Sequence, residues 1–150
     1  MTAGSTIDGI CMLEFGEKEE FKTNESYHSE KGTNQFIKKL EKQLYEYFNK
    51  ERIKFNVALD LIGTDFQIKV WEELLNIPFG TTRTYKEQAI AVGNLKAIRA
   101  VATANGSNRI PIIIPCHRVI GSDGSLTGFG GGLWRKKFLL ELESKQGSLF

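Results

Sequence analysis

This 150-residue chain has no long apolar run, no leader pattern, almost no cysteine and no strong charge of one sign, and each shortage excludes something. No stretch approaches the ~18 consecutive apolar residues of a membrane span. The N-terminus lacks a basic segment followed by an apolar one, so an intracellular, cytoplasmic protein with no membrane partner is expected. Cysteine occurs only at Cys11 and Cys116, too sparsely for the disulfide framework of a small secreted domain. The two could pair, but a free Cys116 in a reducing compartment suits the chemistry below better. No internal repeat or low-complexity tract is present. A net charge of +2 says little by itself.

What is present is ordinary in amount and uneven in distribution. A 41% hydrophobic and 25% charged composition is that of a soluble globular protein. The length fits one compact domain, or one domain with a small appendage. Residues 1–60 carry nine Lys and Arg against eleven Asp and Glu, whereas residues 61–150 carry eleven against seven. Between Arg83 and Lys137 there are nine basic residues and two acidic ones. Basic residues are usually just solvated, but their concentration around a helix pair and a thiol points to a polyanion docking there.

The pattern predicts an α/β (α+β) chain: a small N-terminal αβ domain over 1–60, and a mostly helical C-terminal domain over 61–150. Residues 7–15 read as a short strand interrupted by a turn, and Lys18–Gly32 as a polar surface loop. Phe36, Leu40, Leu44, Tyr47 and Phe48 recur at helical spacing, giving an amphipathic helix from about Thr33 to Lys50. Ile53, Phe55, Val57 and Leu59 alternate as a strand with one buried face does. Thr64-x-x-Gln67 is a capping box opening a helix through Asn76, with Phe66, Val70 and Leu74 inward. Thr84-x-x-Glu87 is a second capping box, starting a helix through about Ala91. A turn at Gly93-Asn94 and a helix from Leu95 to about Asn105 complete a helix-turn-helix pattern. The pattern alone is weak, since many helix pairs share it. The second helix is rich in alanine, including Ala97 and Ala100, and Arg99 is the one long group projecting from its start. Such helices usually pack closely on neighbours, although a slim helix bearing one Arg also fits a narrow groove.

The most informative run is Ile112-Ile113-Ile114-Pro115-Cys116-His117-Arg118-Val119. Three β-branched residues predict a buried strand, which Pro115 ends because it offers no N–H to a ladder. A thiol, an imidazole and a guanidinium then follow at the end of a rigid element, where function needs them. A free cysteine is most often an inert buried thiol. Adjacent His117 and Arg118 favour a reactive one instead, since cationic neighbours lower a thiol pKa from ~8.5.

Ile-Pro-Cys-His-Arg-Val resembles the active-site motif of the O6-alkylguanine-DNA alkyltransferase family, the methylated-DNA–protein-cysteine methyltransferases. Ile77–Tyr85 resembles the family's approach to its DNA-binding helices. Leu126-Thr127-Gly128-Phe129-Gly130-Gly131-Gly132-Leu133 resembles its substrate loop, and Leu139–Glu143 its closing helix. Four such blocks in the right order span residues 64 to 143 almost continuously.

The resemblance implies irreversible transfer of an alkyl group from O6-alkylguanine in double-stranded DNA to Cys116, once per protein, with O4-alkylthymine as a second candidate lesion and no cofactor. It implies a relay from Cys116 through a water to His117 and Glu143. Tyr85 matches the tyrosine that donates toward a ring nitrogen of the base, and its bland reading is an aromatic packed between helices. Asn108 matches an asparagine that ties the recognition helix to the following strand, so a structural role is expected for it. Arg99 matches the arginine that fills the gap left by an extruded base, on a helix that enters the minor groove with Ala97 and Ala100. Thr84, Lys86 and Arg118 are candidates for phosphate contacts. Pro115, Phe129, Gly130 and Gly131 would form the substrate pocket, the glycines allowing close backbone approach to a planar base. Phe129 stands where the family often has tyrosine, which keeps stacking but loses a hydroxyl. Extruding the base costs a few kcal/mol of unstacking.

The resemblance carries two departures. The family's N-terminal domain usually begins with an additional strand before the one matching Ile10–Phe15, and this chain is expected to supply only part of it. Some members bind structural zinc there, but Cys11 and His28 are too few for a tetrahedral site, so no metal is expected. Three alternatives compete. A non-transferring alkyltransferase-like binder of alkylated DNA would lack the cysteine. A helix-turn-helix regulator needs a dimerisation helix; none is evident, and a monomer is expected. A cysteine hydrolase needs an oxyanion hole, which nothing around Cys116 suggests.

Overall fold

The computed structural model describes residues 1–16 and 30–147. The expected surface loop falls chiefly on residues outside those described, as does His28.

An antiparallel hairpin opens the chain, β1 (Thr2–Ser5) pairing with β2 (Ile10–Glu14). The strand expected within 7–15 is therefore the second arm, and a strand does precede it. Gly9 sits where an added Cβ would lie 2.6 Å from the Ala58 carbonyl oxygen, so the hairpin turn passes against residue 58 only because it is glycine. Helix α1 (Gln35–Phe48) is capped by Asn34, whose side chain accepts from the Phe36 and Ile37 amides. Leu40 and Tyr47 are buried beneath it, while Phe48 is partly exposed.

The strand expected at Ile53–Leu59 does not form. Phe55, Val57 and Leu59 do face the core, but pairing is confined to an isolated parallel bridge of Leu59 with Ile10. The reason is a side chain: buried Gln43 accepts from the Asn56 amide at 2.7 Å and donates to its carbonyl at 3.2 Å. Asn56 thus finds its backbone partners on α1 rather than on a neighbouring strand.

Helix α2 (Asp65–Leu74) begins in the expected capping box, Thr64 and Gln67 satisfying each other's amides. Val70, Trp71 and Leu74 are buried, but Phe66, expected inward, is 37% exposed. A two-residue strand β3 (Arg83–Thr84) leads into α3 (Tyr85–Val92), capped reciprocally by Thr84 and Glu87. Gly93 ends α3 at φ 95°, a left-handed conformation that favours glycine. One 3₁₀ turn, Leu95–Ala97, precedes α4 (Ile98–Gly106), so the expected second helix begins with a tighter turn. A reciprocal amide pair, Gln88 with Asn105 at 2.9 and 2.7 Å, locks α3 to α4 inside the protein. Trp71 Nε1 donates to the Ala104 carbonyl at 2.8 Å and fixes α2 to the same helix.

The isoleucine run is buried as expected but is not a strand. It winds into a turn closed by the Ile114 amide donating to the Ile110 carbonyl at 2.9 Å, with Ile112 at φ 74°. A β-branched residue there is strained, at a cost on the order of 1–3 kcal/mol that the surrounding packing must offset. After a 3₁₀ turn at Cys116–Arg118, β4 (Val119–Ile120) pairs in parallel with β3, and α5 (Leu133–Gly147) closes the domain. The whole is a small N-terminal αβ part beside a mostly helical part containing the helix-turn-helix. Among the described residues no helix is long and apolar enough to cross a membrane.

Candidate active site

Asn108 builds the platform on which the thiol sits. Its Oδ1 accepts from the Ile110 amide at 3.0 Å and its Nδ2 donates to the Ile114 carbonyl at 2.8 Å. The Cys116 amide donates to that same carbonyl across Pro115, whose φ −82° and ψ 62° make an inverse γ-turn. Asn108 thus ties the end of α4 to the turn that carries Cys116, and its side chain pulls the Cys116 pKa downward.

Cys116 is 7% exposed and lines a cavity of about 400 Å³. Asn108, Phe129, Gly130 and Gly131 line it too, so four residues expected at the site meet the thiol there. So do Leu13, Glu14 and Phe15 at the end of β2, and Arg109 and Arg135, which the sequence reading did not place in the pocket. Pro115 is buried behind the thiol. Tyr85 is engaged elsewhere, its hydroxyl donating to the Thr127 carbonyl at 2.8 Å.

The expectation that neighbouring cations lower the thiol pKa is corrected. Burial pushes Cys116 up from its ordinary value, against opposing pulls from Asn108 and the Lys136 charge. Arg118 gives the thiol no help because it turns away from it. It is 7% exposed and grips Glu143 with two nitrogens, Nε to Oε2 at 3.0 Å and Nη2 to Oε1 at 2.9 Å. Its third nitrogen donates to the Ile77 carbonyl at 2.7 Å. A guanidinium so enclosed does not suit the expected phosphate contact.

Behind the thiol, His117 is fully buried and its Nε2 lies 2.8 Å from Glu143 Oε1. Burial lowers the imidazole pKa against the pull of Glu143, so the ring is neutral. Beside an ionised carboxylate the neutral tautomer carries its proton on Nε2, leaving Nδ1 an unprotonated acceptor. Nδ1 is buried and has no hydrogen-bonding partner. Glu143 also accepts from the Tyr47 hydroxyl at 2.8 Å and the Gly80 amide at 3.4 Å. Burial alone would raise this carboxyl, but the His117 and Arg118 bonds and charges hold it down at about 2. Glu141, its near twin in composition, is exposed and lies 3.9 Å from Lys137.

Lys136 was counted with the basic surface but is fully buried, donating to the Val119 carbonyl at 2.5 Å and the Thr127 carbonyl at 2.8 Å. Its spacing of seven from Glu143 on α5, with Leu139 and Leu142 between, was the available signal that both face inward. Tyr47 gave no comparable signal, being indistinguishable in sequence from a core aromatic of α1. On the helix pair, Lys86, Arg99 and Ala100 are exposed and Ala97 is half-buried, while the Thr84 hydroxyl oxygen caps α3. No cluster of three or more His, Cys, Asp or Glu able to hold a metal occurs among the described residues.

Comparison with known proteins matches both halves of the chain. Residues 65–145 match the model of the 6-O-methylguanine DNA methyltransferase DNA binding domain, and residues 5–61 that of the same protein's ribonuclease-like domain. The chain is 58% identical over 104 residues to a methylated-DNA–protein-cysteine methyltransferase of Mycobacterium bovis, a match covering 69% of this chain and 63% of that relative. The chain therefore matches less than two thirds of that relative's length. It is 45% identical over 137 residues to the Haemophilus influenzae protein of the same name, covering 91% and 75% of the two. A crystal structure of Mycobacterium tuberculosis OGT in complex with DNA superimposes with a TM-score of 0.82 at 44% identity, covering 96% of this chain and 86% of that one. With both halves matched in order, and with the cysteine, histidine and glutamate of the resemblance gathered in one buried site, the chain belongs to the 6-O-methylguanine DNA methyltransferase family.

Proposed function

We propose that this protein repairs DNA by moving an alkyl group from guanine O6 to Cys116, once and irreversibly. The observation that carries the reading is a cysteine lining a base-sized cavity with a neutral imidazole, oriented by an ionised carboxylate, directly behind it. Displacement at an sp³ carbon calls for a soft nucleophile, and a thiolate is the best one a protein has. Because burial keeps the resting thiol protonated, its proton must leave as attack proceeds. His117 Nδ1 takes it through a bridging water, and Glu143 stabilises the resulting imidazolium. The S–C bond forms as the C–O6 bond breaks, the electron pair staying with guanine. The base is protonated at a ring nitrogen, with the Tyr85 hydroxyl as donor once it leaves Thr127. In net terms the thiol's proton ends on guanine, and the thioether has no route back to thiol.

The lesion is delivered by double-stranded DNA lying along α3 and α4, with α4 in the minor groove. Arg99 fills the space of the extruded base, and Lys86 and Thr84 contact phosphates. The division at residues 60 and 61, action as a monomer, and a cytoplasmic protein found on the nucleoid when bound belong to the same reading. An alkyltransferase-like binder of alkylated DNA is disfavoured by the intact Cys116. Peptide mapping after incubation with a methyl-labelled O6-methylguanine duplex tests the proposal. The label is expected on the peptide holding Pro115 and Cys116, and none in Cys116→Ala, which still binds DNA. Label on another residue would overturn it.

A further inference from the structure

The cavity beside Cys116 is closed on one side by the N-terminal part of the chain, and that wall is held in an unusual way. Phe15, just past β2, lies 6.0 Å from Phe129 between ring centroids. The Arg135 guanidinium, from the first turn of α5, lies over the outer part of the same wall, 4.8 Å from the Phe15 ring centroid. Trp134 completes the stack, 4.4 Å from the guanidinium. Arg135 is also pinned to the substrate loop, donating to the Gly131 carbonyl at 2.7 Å. Gly131 is wedged among these rings: an added Cβ would lie 2.6 Å from Phe15 and 2.8 Å from Phe129. Phe129, Phe15, Arg135 and Trp134 therefore form one contiguous layer, its two phenyl rings tilted by 60°, that joins hairpin, substrate loop and closing helix. Two cation–π contacts of one guanidinium, added to the packing of Phe129 and Gly131, hold the Phe15 ring in place.

From this arrangement we infer that Phe15, clamped by Arg135, sets the size of the O6 substituent the site accepts. The inference rests on the proposed alkyl transfer. In-line displacement fixes the sulfur, the attacked carbon and O6 along one axis, so any bulk beyond that carbon must lie to the side. In a cavity of about 400 Å³, part of that side space is bounded by the Phe15 ring. The wall is rigid, so it discriminates by exclusion rather than by yielding. Arg135 and Trp134 act through Phe15 and are positioning residues.

The test compares single-turnover rates on duplexes carrying O6-methylguanine and O6-benzylguanine, using the full chain. Phe15→Ala is expected to raise the benzyl-to-methyl rate ratio by at least about tenfold, the lower end of what one methylene of pocket space is worth. Arg135→Met, which frees the ring without removing it, should shift the ratio the same way by less. Phe15→Leu keeps apolar bulk just past β2, and its ratio should also rise; it carries the test if Phe15→Ala does not fold. An unchanged ratio in the folded variants, with methyl transfer intact, overturns the inference and leaves the alkyl-transfer reading standing. Failure of the unaltered protein to accept a methyl group at all would overturn both.

Discussion

Replacing Glu143 by Gln is the sharpest perturbation of the buried network, because the change is isosteric and removes only charge. In the native protein Oε1 accepts from Tyr47, His117 and Arg118, and Oε2 from Arg118 and the Gly80 amide. Every one of these partners is a donor. A glutamine amide therefore points its NH₂ at donors whichever way it is turned. The less costly orientation sets it against Arg118 Nε and the Gly80 amide, leaving a buried guanidinium without its counter-charge. Breaking one side of a buried, hydrogen-bonded pair costs about 3–5 kcal/mol. For a chain of this length that corresponds to a fall in melting temperature of roughly 10 °C. Glu141→Gln, two residues away on the exposed face, is the control: its 3.9 Å pair with Lys137 is worth about 0.5 kcal/mol or less. Thermal melts by circular dichroism at neutral pH measure both. Glu143→Gln and Glu141→Gln melting at the same temperature would refute the network.

Arg99→Ala is expected to impair extrusion of the damaged base more than binding to undamaged DNA, whereas Lys86→Ala should weaken binding to all sequences and lower the salt slope by about one unit; identical behaviour of the two in fluorescence binding titrations would remove Arg99 from its assigned role. His117→Ala should slow transfer by about 10²–10⁴-fold near neutral pH and less at high pH, where hydroxide generates thiolate unaided, as quenched-flow rates across pH would show. Stability should fall as the solution is acidified, in two stages. Because His117 has a folded pKa below its ordinary 6.5, the unfolded chain takes up the proton first, and stability is lost as pH drops through that range. Glu143, held at about 2 against an ordinary 4.5, adds a second loss between those values. Urea titrations from pH 7 to 3 that showed constant or rising stability would contradict both assignments.

The helices and their caps were legible because the signals are local. Thr64 with Gln67 and Thr84 with Glu87 each close a reciprocal pair within one turn, and no distant residue can undo that. The two expected strands failed for the opposite reason. Phe55, Val57 and Leu59 alternate as a strand does, yet Gln43, from another element, took the backbone groups of Asn56. Ile112–Ile114 has the composition of a strand, yet Asn108 folds it into a turn that accepts a strained Ile112. At the site, Cys116 and His117 stood out in the run 112–119 itself, Glu143 was reached only through the resemblance, and the structure brings its carboxylate to 2.8 Å from His117. Arg118 and Lys136 were misjudged because a cation's surroundings are not written in its neighbours along the chain. Both are buried against acceptors supplied from elsewhere: Glu143 and the Ile77 carbonyl for one, the carbonyls of Val119 and Thr127 for the other.

Intact mass after incubation with an excess of O6-methylguanine duplex tests the central claim most directly. The account predicts that every protein molecule gains the mass of one methyl group in place of one hydrogen. The amount of guanine restored should equal the amount of protein and rise no further. Repair of more lesions than there are protein molecules, with the protein's mass unchanged, would contradict it.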